Sequence, residues 1–386
     1  MSGWVYDLTD PEVRHSWESS LDREVRPRDP LLDPDSGLAG SGKDALVQQK
    51  DSEQVKGSYL TTTMRYQLNT RGRVQDEVLK GHEAAPATAT CNTYVHRFRA
   101  AVGTSSPIVE QWVELDTLEE GRDALADLFA SRFSFACHAH ATGLSNITDD
   151  AYRLNNTINA VNSEYILRPN SKSAGGLTSS DLFDIDLIND AARYVKLVRP
   201  KIRPAMTPWG PKYCVFLGPE QVHSLRNSNS QWFAQMSFAA QGGRIDDNGL
   251  YTRALGQYQD FLFFESDFVP PGVNNDATPT SLLSSTRRAW IGGAQALFMA
   301  FGRGWKVAPG YSLNRFQWSK ESEDYDGQHA MAATTIVGIN RPRYQRPGET
   351  SAREAGVVVI ETYADIGGAS SAVTYSPWTD AGCTVV

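Results

Sequence analysis

The sequence predicts an α+β fold, and three observations carry that prediction. Residues 57–103 read as two long strands joined by a polar connection. A long amphipathic helix follows at about Thr117–Ala141. Beyond it, strands and helices interleave irregularly instead of alternating as βαβ units, the pattern of an α+β protein and not of a parallel α/β one.

In chain order, residues 1–56 are rich in Pro, Asp, Ser and Gly and read as an extended arm with at most a short helix near Asp10–Asp22. The stretch Arg26-Pro-Arg-Asp-Pro-Leu-Leu-Asp-Pro-Asp-Ser-Gly punctuates the backbone too often for regular structure. The ribbon comes next. Leu60, Thr62, Met64, Tyr66 and Leu68 fall on one face, while Tyr59, Thr61, Thr63, Arg65, Gln67 and Asn69 fall on the other, a half-buried strand by its period of two. The return strand runs from about Cys91 to Val102, with Tyr94, Phe98 and Val102 on one face and Arg97 and Arg99 on the other. Gly72–Thr90 is a long connection for a compact domain, and a two-stranded ribbon is marginal alone in water. Its apolar stripe is therefore expected to be buried by another subunit.

The helix at 117–141 opens with Asp116 and Thr117 as caps and with Glu119 and Glu120 in capping-box positions. Leu118, Leu125, Leu128, Phe129 and Phe135 mark its apolar stripe, and Thr142-Gly143 stops it. Residues 143–180 read as loops with short elements. A second helix over about Asp181–Arg199 ends at Pro200. Tyr213-Cys-Val-Phe-Leu is a continuous apolar run and reads as a buried strand, and Pro219 opens a short helix carrying Val222 and Leu225. A helix over Gln231–Ala240 and strands near Phe261–Glu265, Ala289–Ala300, Ala332–Ile339 and Gly356–Tyr363 complete the prediction, before a Gly-, Ser- and Thr-rich tail after Ala364.

The net charge of −8 argues against a general nucleic-acid binder, whose affinity comes from Lys and Arg meeting phosphates. No apolar run reaches membrane-spanning length, and the opening Met-Ser-Gly-Trp-Val-Tyr-Asp lacks the basic and apolar regions of a secretory leader. Cys91, Cys137, Cys214 and Cys383 are scattered without close pairs and read as reduced thiols. Charge is unevenly placed. Residues 1–56 are acidic, whereas the ribbon carries Arg65, Arg71, Arg73, Lys80, Arg97 and Arg99 against Asp76, Glu77 and Glu83. The plain reading is two solvated surfaces. The sharper one is an acidic arm and a basic ribbon meeting across a subunit boundary.

Candidate catalytic motifs fail on their own terms. Gly37-Leu-Ala-Gly-Ser-Gly-Lys43 has phosphate-loop spacing, but Asp44 stands where a magnesium-binding hydroxyl is needed and a Pro/Asp loop stands where a strand is needed. It reads as a turn. Cys137-His138-Ala-His140 places its histidines on different helix faces, without a second cluster to complete a metal site. Glu321, Glu323, Asp324 and Asp326 form an acidic patch without calcium-loop spacing. His223 sits beside apolar helix residues and reads as a structural or interface histidine. No catalytic residue, cofactor or metal site is expected.

The order of pieces is more specific than any one of them. Lys56-Gly-Ser-Tyr-Leu-Thr-Thr-Thr-Met-Arg-Tyr-Gln-Leu and Leu79-Lys-Gly-His-Glu83 are followed by Tyr213-Cys-Val-Phe-Leu-Gly-Pro-Glu-Gln-Val-His-Ser-Leu-Arg226 and Leu250-Tyr-Thr-Arg-Ala-Leu-Gly-Gln-Tyr258. Then come Gly292-Gly-Ala-Gln-Ala296, Val337-Gly-Ile-Asn-Arg341 and Gly356-Val-Val-Val-Ile360. In this order they resemble the major capsid proteins of tailed bacteriophages, with the Hong Kong 97-type fold, over roughly Gly40 to Ala364. Gly218-Pro219, Asn248-Gly249 and Asp260 depart from the family's usual His-Pro, Asn-Pro and Gly.

The resemblance implies an N-terminal arm (1–56), an extended loop (57–105) and a peripheral domain (106–205) with spine helix 117–141. It further implies an axial domain (206–330), a return to the peripheral domain (331–366) and a tail (367–386). It implies a non-enzymatic shell subunit that self-assembles into hexamers and pentamers of an icosahedral head around double-stranded DNA, made in the host bacterial cytoplasm and located in the virion. Portal and scaffold or decoration proteins would be further partners, with no membrane. Leu60, Met64, Arg65, Tyr66, Leu68, Arg71, Arg73, Lys80, Arg97 and Arg99 are the inter-subunit contact candidates. A cross-link through Lys80 would need a neighbour's Asn and a catalytic acid, which the sequence does not place. Two other readings stand beside this one: an encapsulin-type compartment with the same fold, and a soluble hydrolase or metal enzyme.

Overall fold

The computed structural model describes residues 11–25, 29–33, 36–51, 57–66, 72–75, 77–83, 87–103, 117–228, 254–274, 281–302, 315–323, 328–345 and 349–364. The predicted long helix spans Thr117–Thr142. Its exposure changes along its length. Residues such as Asp123, Ala124 and Asp127 are exposed near the start, whereas every residue from Phe133 to Thr142 is buried. A surface helix needs one apolar stripe, but a helix buried all round must be apolar all round. Phe133-Ser-Phe-Ala-Cys-His-Ala-His-Ala-Thr142 meets that demand with small and aromatic side chains. Gly143 ends it at φ +70°, and the Leu144 N–H bonds back to the Ala139 carbonyl at 3.0 Å, a glycine-based helix stop.

Two sheets bury this helix. The first has six strands: Ala39–Gly40, Val47–Asp51, Leu297–Phe301, Gln328–Asn340, Phe316–Glu323 and His96–Gly103. It covers the first half of the helix through edge-to-face contacts of Phe129 with Phe98 (5.2 Å) and Phe316 (5.3 Å). The second has eight strands, including Gly210–Leu217, Phe261–Glu265, Ser281–Gly292 and Val357–Tyr363. Tyr213–Leu217, Phe261–Phe264 and Val357–Ile360 within them are continuous apolar runs, as strands buried on both faces require. Trp290 stacks on Phe216 at 4.4 Å, and its indole N–H donates to His138 Nδ1 at 3.0 Å.

The sequence missed the charged residues of the second half. Arg341 donates to the carbonyls of His140 and Ala141, and Arg288 to that of Thr142 at 2.9 Å. The last carbonyls of a helix lack partners within it, and a guanidinium there also meets the negative end of the helix dipole. Each arginine is itself paired: Arg288 with Glu361 at 2.6 Å and Arg341 with Glu354 at 2.9 Å. All four side chains are nearly inaccessible. Arg168 and Arg343 reinforce the carboxylates from the rim.

Several expectations are corrected. Ala289–Ala300 is not one strand. The chain turns at Gly293 and passes from the eight-stranded to the six-stranded sheet. A side-chain carbon on Gly293 would lie 2.3 Å from the Arg203 carbonyl oxygen, so only glycine fits the turn. Residues 11–51 do not form a free arm. The helix Pro11–Val25 lies against Phe316–Glu323 and the long helix. Leu21, Val25, Leu31, Leu32, Leu38, Leu46 and Val47 join the core. The second helix starts at Ile185, capped by Asp184, because Asp181 is held instead by Lys172 at 2.6 Å. A domain division at 330/331 would cut the strand Gln328–Asn340, and one at 205/206 would cut Ala205–Thr207. The late strand Val357–Tyr363 belongs to the eight-stranded sheet, not to the six-stranded sheet. The helix expected over Gln231–Ala240 lies outside the described residues.

Replacing Gly293 with Ala should lower stability by about 1–3 kcal/mol, the cost of overpacking against fixed backbone. Urea unfolding of the unassembled subunit measures this, and an unchanged midpoint would remove the close-packed turn from the account.

Candidate assembly surface

The ribbon pairs Tyr59–Arg65 with Thr88–Tyr94, from Tyr59↔Tyr94 at one end to Arg65↔Thr88 at the other. The predicted alternation of the first strand is present: Thr62 is buried, Leu60, Met64 and Tyr66 are half-buried, and the odd-numbered residues are exposed. This face lies on the chain's own body. Asn156 grips the Tyr94 backbone, accepting from its N–H (3.0 Å) and donating to its carbonyl (2.8 Å). Asn340 Nδ2 donates to the Asn92 carbonyl at 3.2 Å. A side-chain carbon on Gly338 would sit 1.9 Å from the Tyr94 oxygen, which shows how closely the ribbon crosses the long strand.

The return strand breaks at Val95. Thr88–Tyr94 belongs to the ribbon, but His96–Gly103 leaves it and pairs with Gln328–Asn340. The inward parity flips there, from Ala89 and Thr93 to Phe98, Ala100 and Val102. Tyr94 therefore does not share a face with Phe98; it is exposed and meets Tyr59 edge-on at 5.8 Å. Arg97 and Arg99, expected on the ribbon, are exposed on the six-stranded sheet opposite Ile336 and Thr334.

The remaining candidates divide in two. Met64, Arg65 and Tyr66 border a cavity of about 500 Å³ that Arg199, Arg203 and Arg353 also line. Beyond it, residues 72–75 and 77–83 carry Val74, Val78 and Leu79 at 69%, 71% and 62% exposure, far above what apolar side chains of a finished surface need. In that stretch Arg73 pairs with Glu77 at 3.2 Å and Lys80 is exposed. Leu68 and Arg71 lie outside the described residues.

The motifs weighed for chemistry have structural roles. Gly37–Asp44 contains the short strand Ala39–Gly40 and is followed by its parallel neighbour Val47–Asp51, where a phosphate loop would need a helix. His138 Nδ1 must accept, since an indole N–H can only donate, so the ring is neutral with its proton on Nε2, 3.0 Å from Ser266 Oγ. Asp29 lies 3.7 Å from that same nitrogen. A hydrolytic triad places acid and hydroxyl on opposite ring nitrogens, and here both face one. His140 Nε2–H donates to the Arg153 carbonyl at 3.1 Å. Burial pushes the thiols of Cys137 and Cys214 up, away from reactivity. His223 is exposed beside Asn227. Among the described residues no three His, Cys, Asp or Glu side chains group to hold a metal, and no helix is long and apolar enough to cross a membrane.

A long helix between two sheets, a clamped ribbon and a projecting loop together make the Hong Kong 97-type capsid fold. The structure is similar to that of the Ralstonia phage GP4 capsid, with TM-score 0.69 and 21% identity over 87% of this chain and 92% of that one. It is also similar to the cyanophage Pam1 capsid (TM-score 0.63, 15% identity, 88% and 93%). The head of Helicobacter pylori bacteriophage KHP40 gives TM-score 0.59 at 12% identity over 88% and 91%. No curated protein matches the sequence. Residues 17–366 match the phage capsid protein family, and the chain belongs to it.

His140 makes the body acid-sensitive. Burial lowers its pKa from 6.5 to about 4, and the Arg341 and Arg153 charges add to this against the Arg153 carbonyl bond. The unfolded chain takes up this proton below pH 6.5, whereas the folded chain does so only near 4. Stability is therefore lost as pH falls through that window, by about 3 kcal/mol at most. Unfolding at pH 7 and pH 4.5 tests it. His140→Gln should flatten the dependence, and an unaltered slope would assign it elsewhere.

Proposed function

We propose that the chain is the major capsid protein of a tailed phage, without catalytic function. Copies assemble into hexamers and pentamers of an icosahedral head that encloses double-stranded DNA. Assembly takes place in the host bacterial cytoplasm, with portal and scaffold or decoration proteins as further partners. In this reading the long helix and six-stranded sheet correspond to the peripheral part and the eight-stranded sheet to the axial part. One observation carries the proposal: the body holds the ribbon through Asn156 and Asn340, while its loop leaves Val74, Val78 and Leu79 largely exposed among the described residues. Identical chains that meet through different patches make heterologous contacts, which form rings where the rotation between copies closes. The family match over residues 17–366 supports a phage head over an encapsulin-type compartment of the same fold.

Purified particles should be closed shells by negative-stain electron microscopy. Those from infected cells should contain nuclease-protected DNA. Protein cargo without DNA would identify a compartment instead, and a monomer with turnover would overturn both readings.

Tyr66 N–H already bonds to the Ala87 carbonyl at 2.9 Å, so residues 67–86 can be replaced by Asn-Gly, a dipeptide suited to tight hairpins. The subunit should keep its helical circular dichroism and fail to close shells. Normal particles from this variant would contradict the role of the loop. Arg97→Glu with Arg99→Glu should reduce particle yield and its salt sensitivity, since rim charges act chiefly on encounter and register. An unchanged salt response would show that these arginines face solvent in the shell.

A further inference from the structure

The cavity beside the ribbon carries a charge that the subunit leaves unbalanced. Five of its nine lining residues are cationic (Arg65, Arg199, Lys201, Arg203 and Arg353) and one, Glu349, is acidic. From outside the lining, Asp44 lies 3.7 Å from Arg203 and Glu164 lies 3.5 Å from Arg353. Counting these two acids, an excess of two positive charges remains, in a chain whose net charge is −8. The arginines are held in place by the subunit. Arg199 Nη1 donates to the carbonyls of Lys196, Leu197 and Val198. Arg203 Nη2 donates to Gln295 Oε1 at 2.9 Å, and Gln295 is itself tied to Gln48 at 3.0 Å. Arg353 Nη1 donates at 3.1 Å to the Arg199 carbonyl, which also accepts from the Tyr165 hydroxyl at 3.0 Å. These contacts leave Nη2 of Arg199 and of Arg353 without a hydrogen bond among the described residues. Arg65 and Lys201, both exposed, have no ion pair among the described residues.

Like charges gathered around a cleft focus its field on an anion. Phosphate suits this cleft best. Its oxygens pair bidentately with guanidinium forks, and a terminal phosphate ester carries about 1.5 to 2 negative charges at neutral pH, close to the excess present. A free phosphate leaves most of the cavity unused. The volume is about 500 Å³, inside the range of about 300–1,000 Å³ for sites that enclose small organic molecules. The remaining lining residues, Met64, Tyr66 and Pro200, form an apolar and aromatic wall, of the kind on which a nucleobase stacks. We propose that this cavity binds a mononucleotide, with the arginines taking its terminal phosphate and Met64, Tyr66 and Pro200 taking its base. A nucleic-acid chain is the poorer occupant, because its internal phosphodiesters carry one charge each. The bound molecule touches three stretches that are distant in sequence: the ribbon at 64–66, the turn at 199–203, and Glu349 with Arg353. It therefore ties the ribbon to the body and stabilises the folded subunit by mass action. The proposal does not depend on the shell reading, since the whole site lies within one chain.

Isothermal titration calorimetry on the full-length, unassembled subunit tests it, with 5′-AMP as the probe. AMP should bind once per chain and raise the melting temperature. Inorganic phosphate should bind about tenfold more weakly, because it leaves the stacking wall unused, and adenosine should give no measurable heat. Arg65→Gln combined with Lys201→Gln removes two charges that serve no ion pair within the described residues. That variant should keep its circular dichroism, weaken AMP and phosphate alike by about tenfold, and flatten the salt dependence of binding. Tyr66→Leu keeps an apolar side chain and should weaken AMP about tenfold while leaving phosphate unchanged. Phosphate or citrate binding as tightly as AMP would overturn the nucleotide assignment in favour of a general anion site. Unchanged AMP affinity in the folded double variant would overturn it by placing the binding elsewhere. A single-stranded oligonucleotide without a terminal phosphate that binds as tightly as AMP, per nucleotide, would overturn it in favour of a nucleic-acid chain. Absence of any AMP heat from the parent protein would end the proposal and leave the shell reading untouched. If the double variant fails to fold, the ligand series on the parent protein and Tyr66→Leu still decide.

Discussion

The buried end of the long helix is the constraint on which the rest of the structure depends. Its last turns lie between two sheets, out of reach of water, and the carbonyls of His140, Ala141 and Thr142 still need donors. Arg288 supplies one from the eight-stranded sheet, and Arg341 the others from just past the end of the long strand of the six-stranded sheet. A buried guanidinium is tolerable only when neutralised, so Glu354 and Glu361 must be there too. Buried ion pairs often stabilise no more than apolar packing of equal volume. Here apolar replacements would orphan the helix carbonyls, so the ions are tied to the geometry. The same four residues therefore fix the positions of both sheets against one helix.

That rigid body decides what the ribbon can do. Gly338 and Asn340 on the long strand, with Asn156, hold the ribbon against the subunit. Residues 72–75 and 77–83 of its loop are exposed. Clamping the ribbon at Tyr94 and Asn92 restrains the end from which that loop leaves. Preorganisation of this kind reduces the ordering cost of an intermolecular contact.

Much of this was legible in the sequence. The long helix, the Tyr213–Leu217 strand and the alternation of Leu60, Thr62 and Met64 follow from local periodicity, and the structure has all three. The errors have physical causes. Period two shows that Leu60 to Tyr66 is half-buried but not by what, and the answer was the same chain. The parity flip at Val95 is a single-residue event inside one apparent strand. Gly292-Gly293 reads as a doublet in a long apolar run, and only the approach of the Arg203 backbone reveals that the sheets change there. Residues 11–51 look like an arm because Pro and Asp punctuate them, yet Leu21, Leu31, Leu38 and Val47 are spaced for a meandering segment packed on a core. Arg288 and Glu361 left the one missed signal that could have been found, charges set within or beside apolar strand runs.

Amide hydrogen exchange, compared between free subunits and closed particles, tests the central claim most directly. A body built around the buried helix end should protect the amides of Phe133–Thr142 in both states. The loop at 72–83 should exchange freely in the subunit and become protected in the shell. A loop that exchanges equally fast in closed particles, or a helix end that gains protection only on assembly, would contradict this account.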